Sequence, residues 1–329
     1  MKFGIPRGLY YEPFLTEWKV FLEELGHSVE ISPLTNKNIL DIGVKEGVNE
    51  ACISLKLTIG HSIYLREKVD LIFSPRLMNL DKWRRVTLCP KFRGLPDIIR
   101  VSVPRVFSVN AYLGTFWRKL DFYLKVGRDL GHSFFSILKA YKKAAMASKT
   151  VSKLMKIGFW PDEARELVLK DACLRESVNG RRKENTNGSY VGVVGYPYLI
   201  YDDYVSHSLI KRLNKIGFNV ITPEMLDEKE IEGFLKTLFK PLFWSQSNKV
   251  LGAAFALLKK PEIEGIIHIS SFSCGTDAWV GRLIELEARR VGKPLMRIVV
   301  DEHTAEAGLL TRLEAFTDLV RWRRGRAVI

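Results

Sequence analysis

The chain has 329 residues, 47% hydrophobic and 27% charged, enough for two α/β domains that each bury their own core. Its 51 basic and 37 acidic side chains leave a formal net charge of +14. That balance attracts anions: nucleic acid, acidic membrane, phosphorylated ligands or an acidic partner protein. The longest apolar run, Val250 to Leu258, is far too short to cross a bilayer, and the N-terminus lacks the charged-then-apolar layout of a signal peptide. Four cysteines with no export signal point to a reducing cytoplasm, where thiols bind metal or do redox work.

Residues 2–6 read as a short strand, and Phe14 to Leu25 as an amphipathic helix closed by Gly26. His27 to Ser32 reads as a second strand, and the stretch after Asn36 as a second helix. Val69 to Ser74 is a buried strand ending at Pro75, with Val106 to Val109 as a further one. Strand and helix alternate in the manner of a parallel sheet. From Tyr112 to about Leu174 the spacing is helical throughout. The polar, glycine-bearing run Asn179 to Gly188 is the best boundary in the chain.

Beyond that run the alternation restarts. Strands are expected at Tyr190–Gly195, Phe218–Thr222, Gly265–Ser270 and Pro294–Val300. Helices are expected at Tyr204–Ile216, Gln246–Leu258, Thr276–Val291 and Ala305–Trp322. The fold class that follows is α/β, with two Rossmann-like (flavodoxin-like) parallel-sheet domains. Residues 1–110 form the first, 111–187 a helical connector or insertion, and 188–329 the second.

Much of the basic excess sits in two places. One is Trp117 to Lys156, with lysines or arginines at 118, 119, 125, 128, 139, 142, 143, 149, 153 and 156; the other is the tail Arg321 to Arg326. Solvated helix faces are the plain explanation. A basic nucleic-acid-binding module is the alternative, and it requires affinity that falls steeply with salt.

Three cysteines stand in turns, far apart in the chain. Cys52 follows Asn49-Glu50-Ala51, Cys89 lies in Leu88-Cys89-Pro90-Lys91-Phe92, and Cys274 in Ser273-Cys274-Gly275-Thr276-Asp277. This is neither zinc-finger spacing nor a secreted disulfide framework. Buried small hydrophobes are the usual fate of free cysteine, but none of the three lies mid-strand or on an apolar helix face. Cys173 does lie on a helical pattern and reads as core. Three thiolates brought together by the fold suit an iron–sulfur cluster with one iron left open. Zinc with a histidine as fourth ligand also fits the residues. Cys274 precedes a helix and follows a strand, where a helix N-terminus favours thiolate over thiol.

The loop Asp301 to Gly308 follows a strand and opens a helix. It offers Glu302 and His303 as weak acid and base candidates, with Thr304 as a helix cap. His27, His61, His132, His207 and His268 stand singly and read as structural or surface residues. There is no Gly-x-x-x-x-Gly-Lys-Ser/Thr loop and no Gly-x-Gly-x-x-Gly after the first strand. Any ATP-driven step is therefore expected to use another protein.

Several blocks together resemble the 2-hydroxyacyl-CoA dehydratase-related, or acyl-CoA dehydratase activase-related, iron–sulfur proteins. They are Gly4-Ile5-Pro6-Arg7, Glu50-Ala51-Cys52, Cys89-Pro90-Lys91-Phe92-Arg93-Gly94-Leu95-Pro96-Asp97, Cys274-Gly275-Thr276-Asp277 and Asp301-Glu302-His303-Thr304-Ala305-Glu306. The resemblance implies two Rossmann-like domains and a [4Fe–4S] cluster ligated at Cys52, Cys89 and Cys274. It also implies a separate ATP-hydrolysing iron–sulfur activator that supplies one low-potential electron for reducing or dehydrating a small substrate such as an acyl-CoA thioester. A homo- or hetero-dimer and a cytoplasmic location go with it. Two departures stand out: the cysteines are too few for a double-cubane cluster, and no activator domain is fused in front. An iron–sulfur electron-relay or maturation factor without its own turnover is the competing expectation.

Overall fold

The computed structural model describes all residues except 10, 83–85, 171–187, 237 and 327–329. Cys173 and all of the expected boundary run except Gly188 lie outside the described residues. The chain divides into two compact units: Met1–Arg181 with Phe243–Ser245, and Arg182–Leu242 with Gln246–Ile329.

The first unit is built on β1 (Lys2–Ile5), β2 (Ser28–Ile31), β3 (Leu71–Phe73) and β5 (Val106–Phe107), all parallel, in the order β2-β1-β3-β5. Phe3 and Ile5 are fully buried, as the central strand of a sheet covered on both faces requires. Helix α1 (Tyr11–Glu24) crosses from β1 to β2, and Trp18, Phe21 and Leu22 fill the core. Helix α2 (Lys37–Glu46) starts at Asn36, whose side chain accepts from the Ile39 N–H. Helix α3 (Ile53–Leu65) is buried on nearly every side.

α2 and α3 meet through glycine. A Cβ on Gly43 would stand 2.0 Å from the Lys56 carbonyl oxygen, and one on Gly60 would stand 2.1 Å from that of Ile39. Only a hydrogen fits at either place. β4 (Arg76–Asn79) and β6 (Asn110–Tyr112) form a small separate parallel pair, with α4 (Pro90–Arg93) and α5 (Leu95–Ser102) between them in the chain.

The basic stretch forms α6 (Phe116–Asp129), α7 (Phe134–Lys156) and α8 (Pro161–Leu169), and it packs within the first unit. Lys119 pairs at 2.7 Å with Glu17 of α1, a carboxylate that is only 2% exposed. Lys143 pairs with Glu24, and His132 meets His27 at 3.0 Å between their Nε2 atoms. Several of its charges therefore anchor helices to the core.

The second unit repeats the architecture. β7 (Tyr190–Gly195), β8 (Asn219–Ile221), β9 (Ile263–Ser271) and β10 (Leu295–Val300) are parallel in the order β8-β7-β9-β10. In chain order both sheets read second, first, third, fourth. Helices α9 (Pro197–Ile200), α10 (Leu209–Lys215), α11 (Glu228–Leu235), α12 (Ser245–Lys259), α13 (Gly275–Val291) and α14 (Glu306–Arg326) complete the unit. α10 starts later than expected because His207 and Ser208 adopt left-handed backbone, with φ of 49° and 54°.

The tail arginines also have structural work. Arg321 donates to the Ile216 carbonyl at the end of α10, Arg323 to the Gly292 carbonyl at the end of α13, and Arg324 to the Ser189 hydroxyl. Cations at carbonyl-rich helix ends complement the helix dipole. No helix among the described residues is long and apolar enough to cross a membrane.

Candidate cofactor-binding site

Each of the three turn cysteines occupies the N-cap position of a helix. Cys52 caps α3, Cys89 caps α4 and Cys274 caps α13, and no side-chain oxygen performs the capping at any of them. The first-turn N–H groups of a helix have no intrahelical acceptor, so a sulfur placed there faces free donors and the positive end of the dipole. Cys52 is buried and the other two cysteines are half-buried.

Cys89 is held by its neighbours on both sides. Thr87 receives the Ser245 N–H at 2.8 Å and donates to the Phe243 carbonyl at 2.9 Å, which fixes the approach to the cysteine. Pro90 follows as the first residue of α4, where its missing N–H costs nothing. Burial pushes the Cys89 thiol up; backbone N–H groups of Phe92 and Lys91 donate to the sulfur and oppose that, while Cys52 adds repulsion. The fold thus brings Cys52 and Cys89 within electrostatic reach of each other.

Cys274 belongs to the second unit. Ser273 before it is left-handed, with φ of 62°, a conformation that costs a non-glycine residue roughly 1 kcal/mol. That turn leads directly from β9 into α13. The Cys274 sulfur lies 3.4 Å from the Thr276 hydroxyl, which lies 3.0 Å from the Tyr196 hydroxyl, itself 2.9 Å from that of Ser247. Tyr196 follows β7 and Cys274 follows β9, so both emerge at C-terminal strand ends around the switch point of the sheet. Burial raises the Tyr196 phenol well above its ordinary range, with Asp277 and Cys274 adding to it. Tyr196 therefore stays a neutral hydrogen-bond donor.

Beneath this row, His268 in β9 meets Asp277 in α13 at 3.3 Å, and both are fully buried. The pair pins the start of α13 to the sheet. Tyr196, Ser247 and the His268–Asp277 pair were not singled out from sequence as a site. The available signal was a histidine midway along an otherwise apolar strand, which needs a buried partner.

Glu302 and His303 lie just after β10, beside the Cys274 loop, since the Phe272 N–H donates to the Val300 carbonyl. Thr304 does not cap the last helix as expected. Its hydroxyl instead donates to the Asp301 carboxylate and accepts the Asp301 N–H, each at 2.8 Å. The His303 N–H bonds the same carboxylate at 3.0 Å. Asp301 thus organises this loop. Among the described residues, no group of three or more His, Cys, Asp or Glu side chains is gathered as a metal site.

Two parallel sheets of one strand order, with cysteines capping helices in both, define a twofold-repeated Rossmann-like α/β protein. More narrowly, the chain belongs to the family described as CoA enzyme activase uncharacterised domain (DUF2229), which matches residues 2–226. The match takes in Cys52 and Cys89 and stops short of Cys274. Among curated proteins, none matches the chain.

Proposed function

We propose that Cys52, Cys89 and Cys274 hold one [4Fe–4S] cluster, and that the protein takes low-potential electrons from an ATP-hydrolysing iron–sulfur activator. It would use them to reduce or dehydrate a small substrate, a CoA thioester being the class the family name favours. The observation that carries this reading is the shared N-cap position of the three cysteines. Bound to three thiolates, such a cluster supplies a redox centre with one open, Lewis-acidic iron.

The chain's own residues fit that task. Backbone N–H groups of Lys91 and Phe92 already donate to the Cys89 sulfur, the kind of bond that tunes a thiolate ligand. Tyr196 and Ser247 orient the Thr276 hydroxyl beside Cys274. The buried His268–Asp277 pair holds the helix start that presents it. Glu302 and His303 are the residues we assign to proton handling near the substrate.

The family's description also favours a second reading, in which the protein is an iron–sulfur electron-relay or maturation factor on the activase side that does not turn over substrate itself. The nucleic-acid alternative loses support because three tail arginines are committed to helix ends and Ser189. Anaerobic purification followed by iron and sulfide analysis tests the cluster in both iron–sulfur readings. Turnover of a 2-hydroxyacyl-CoA in the presence of an activator and ATP separates the first from the second.

A further inference from the structure

At the edge of the second sheet, β10 leaves one side unpaired, and a cleft of about 470 Å³ opens there between α13 and α14. Arg289, Lys293, Arg297 and Arg312 line it, with Glu285 as its one acidic side chain. The formal balance is therefore strongly positive, far beyond what the half-charge of a helix C-terminus neutralises.

The cations are held rather than loose. Arg289 bonds Glu285 at 2.6 Å, Lys293 donates to the Lys260 carbonyl, and Arg312 to the Arg297 carbonyl. Arg297 lies against Gly281 of α13, where a Cβ would come within 2.6 Å of its guanidinium. Gly281 thus makes the seat for that side chain. Arg297 reaches Glu285 only at 3.8 Å, and its buried Nε has no hydrogen-bond partner. Each of the Arg289, Arg297 and Arg312 guanidinium groups uses only part of its five N–H donors in these bonds, so donors remain for a further anion.

We propose that this cleft binds a diphosphate-bearing small ligand. Guanidinium forks match phosphate oxygens, several cations suit a multiply charged group, and the volume lies in the range of small-molecule sites. The cleft meets α13 near its C-terminal end, about 21 Å along that helix from the Cys274 cap, at 1.5 Å per residue. It is a separate site, and it does not depend on the cluster reading.

The test is calorimetric titration of the full chain with inorganic pyrophosphate at fixed ionic strength. The expected result is saturable binding with Kd below about 1 mM, weakened about tenfold or more in Arg289→Gln and in Arg312→Gln. Arg289 is an exposed side chain, so its variant should melt like the parent and serve as the decisive one. Competition by ADP would place the diphosphate on a nucleoside; failure of ADP to compete would assign the site to the inorganic ion. No saturation up to about 10 mM would overturn the proposal. So would unchanged affinity in Arg289→Gln, or an equal loss in Lys142→Gln, whose charge lies on α7.

Discussion

The Cys89 thiol lies near enough to Cys52 for Cys52 to disfavour its ionisation, although the two stand in different turns of the first unit. Burial is the larger influence on Cys89, and it acts in the same direction. In metal-free, reduced protein the Cys89 thiol should therefore alkylate more slowly at neutral pH than an exposed cysteine. Cys52→Ala should speed that reaction by removing one source of repulsion. Mass-spectrometric alkylation rates across pH 7–10 check this. Equal rates in parent and variant would mean the thiols are not neighbours.

His61 makes the first unit sensitive to acid. Burial, with Arg7 adding repulsion, pushes its pKa from 6.5 down to about 3, and its Nδ1 has no hydrogen-bond partner. The unfolded chain thus takes up this proton before the folded one. The contribution is complete above pH 6.5 and is lost as pH falls toward 3, on the order of 5 kcal/mol in all. His61→Gln should flatten the pH dependence of urea unfolding in that window. A slope identical to the parent's would contradict the assignment.

Lys119 neutralises Glu17, a nearly fully buried carboxylate beside the equally buried Tyr123. Lys119→Met should cost roughly 3 kcal/mol, because it strands a charge inside the protein. Chemical denaturation should show it, and Glu17→Gln added to Lys119→Met should recover part of the loss. A surface-like cost of under about 0.5 kcal/mol would show that α6 is not anchored this way.

Tyr196→Phe removes one hydroxyl that serves both Ser247 and Thr276. A loss of about 1–2 kcal/mol is expected, since the buried Ser247 hydroxyl and the half-buried Thr276 hydroxyl both lose a partner. Circular dichroism during urea unfolding gives the value. No loss would mean that the row beside Cys274 is not held through Tyr196.

Much of this architecture was legible from residue order. Tyr190–Gly195 reads as a strand because it is apolar, β-branched and bounded by turns, and it forms one over the same residues. α3 leaves no apolar stripe to read, because it is buried on nearly all sides. β4 and β6 escaped notice: Arg76-Leu77-Met78-Asn79 and Asn110-Ala111-Tyr112 are short, and they are strands only through pairing with each other. The cysteines were visible through their turn residues. Their common N-cap position was not, because it depends on where each helix begins. The roles of Lys119, Arg321 and Arg323 depend on distant carboxylates and carbonyls that local pattern does not reveal.

The cluster assignment meets its most direct test in iron and acid-labile sulfide counted per chain after anaerobic purification. The account predicts about four of each in the parent and in Cys173→Ala, with iron lost in Cys52→Ala, Cys89→Ala and Cys274→Ala. Colourless protein carrying zinc, or iron retained in any of those last three variants, would contradict it.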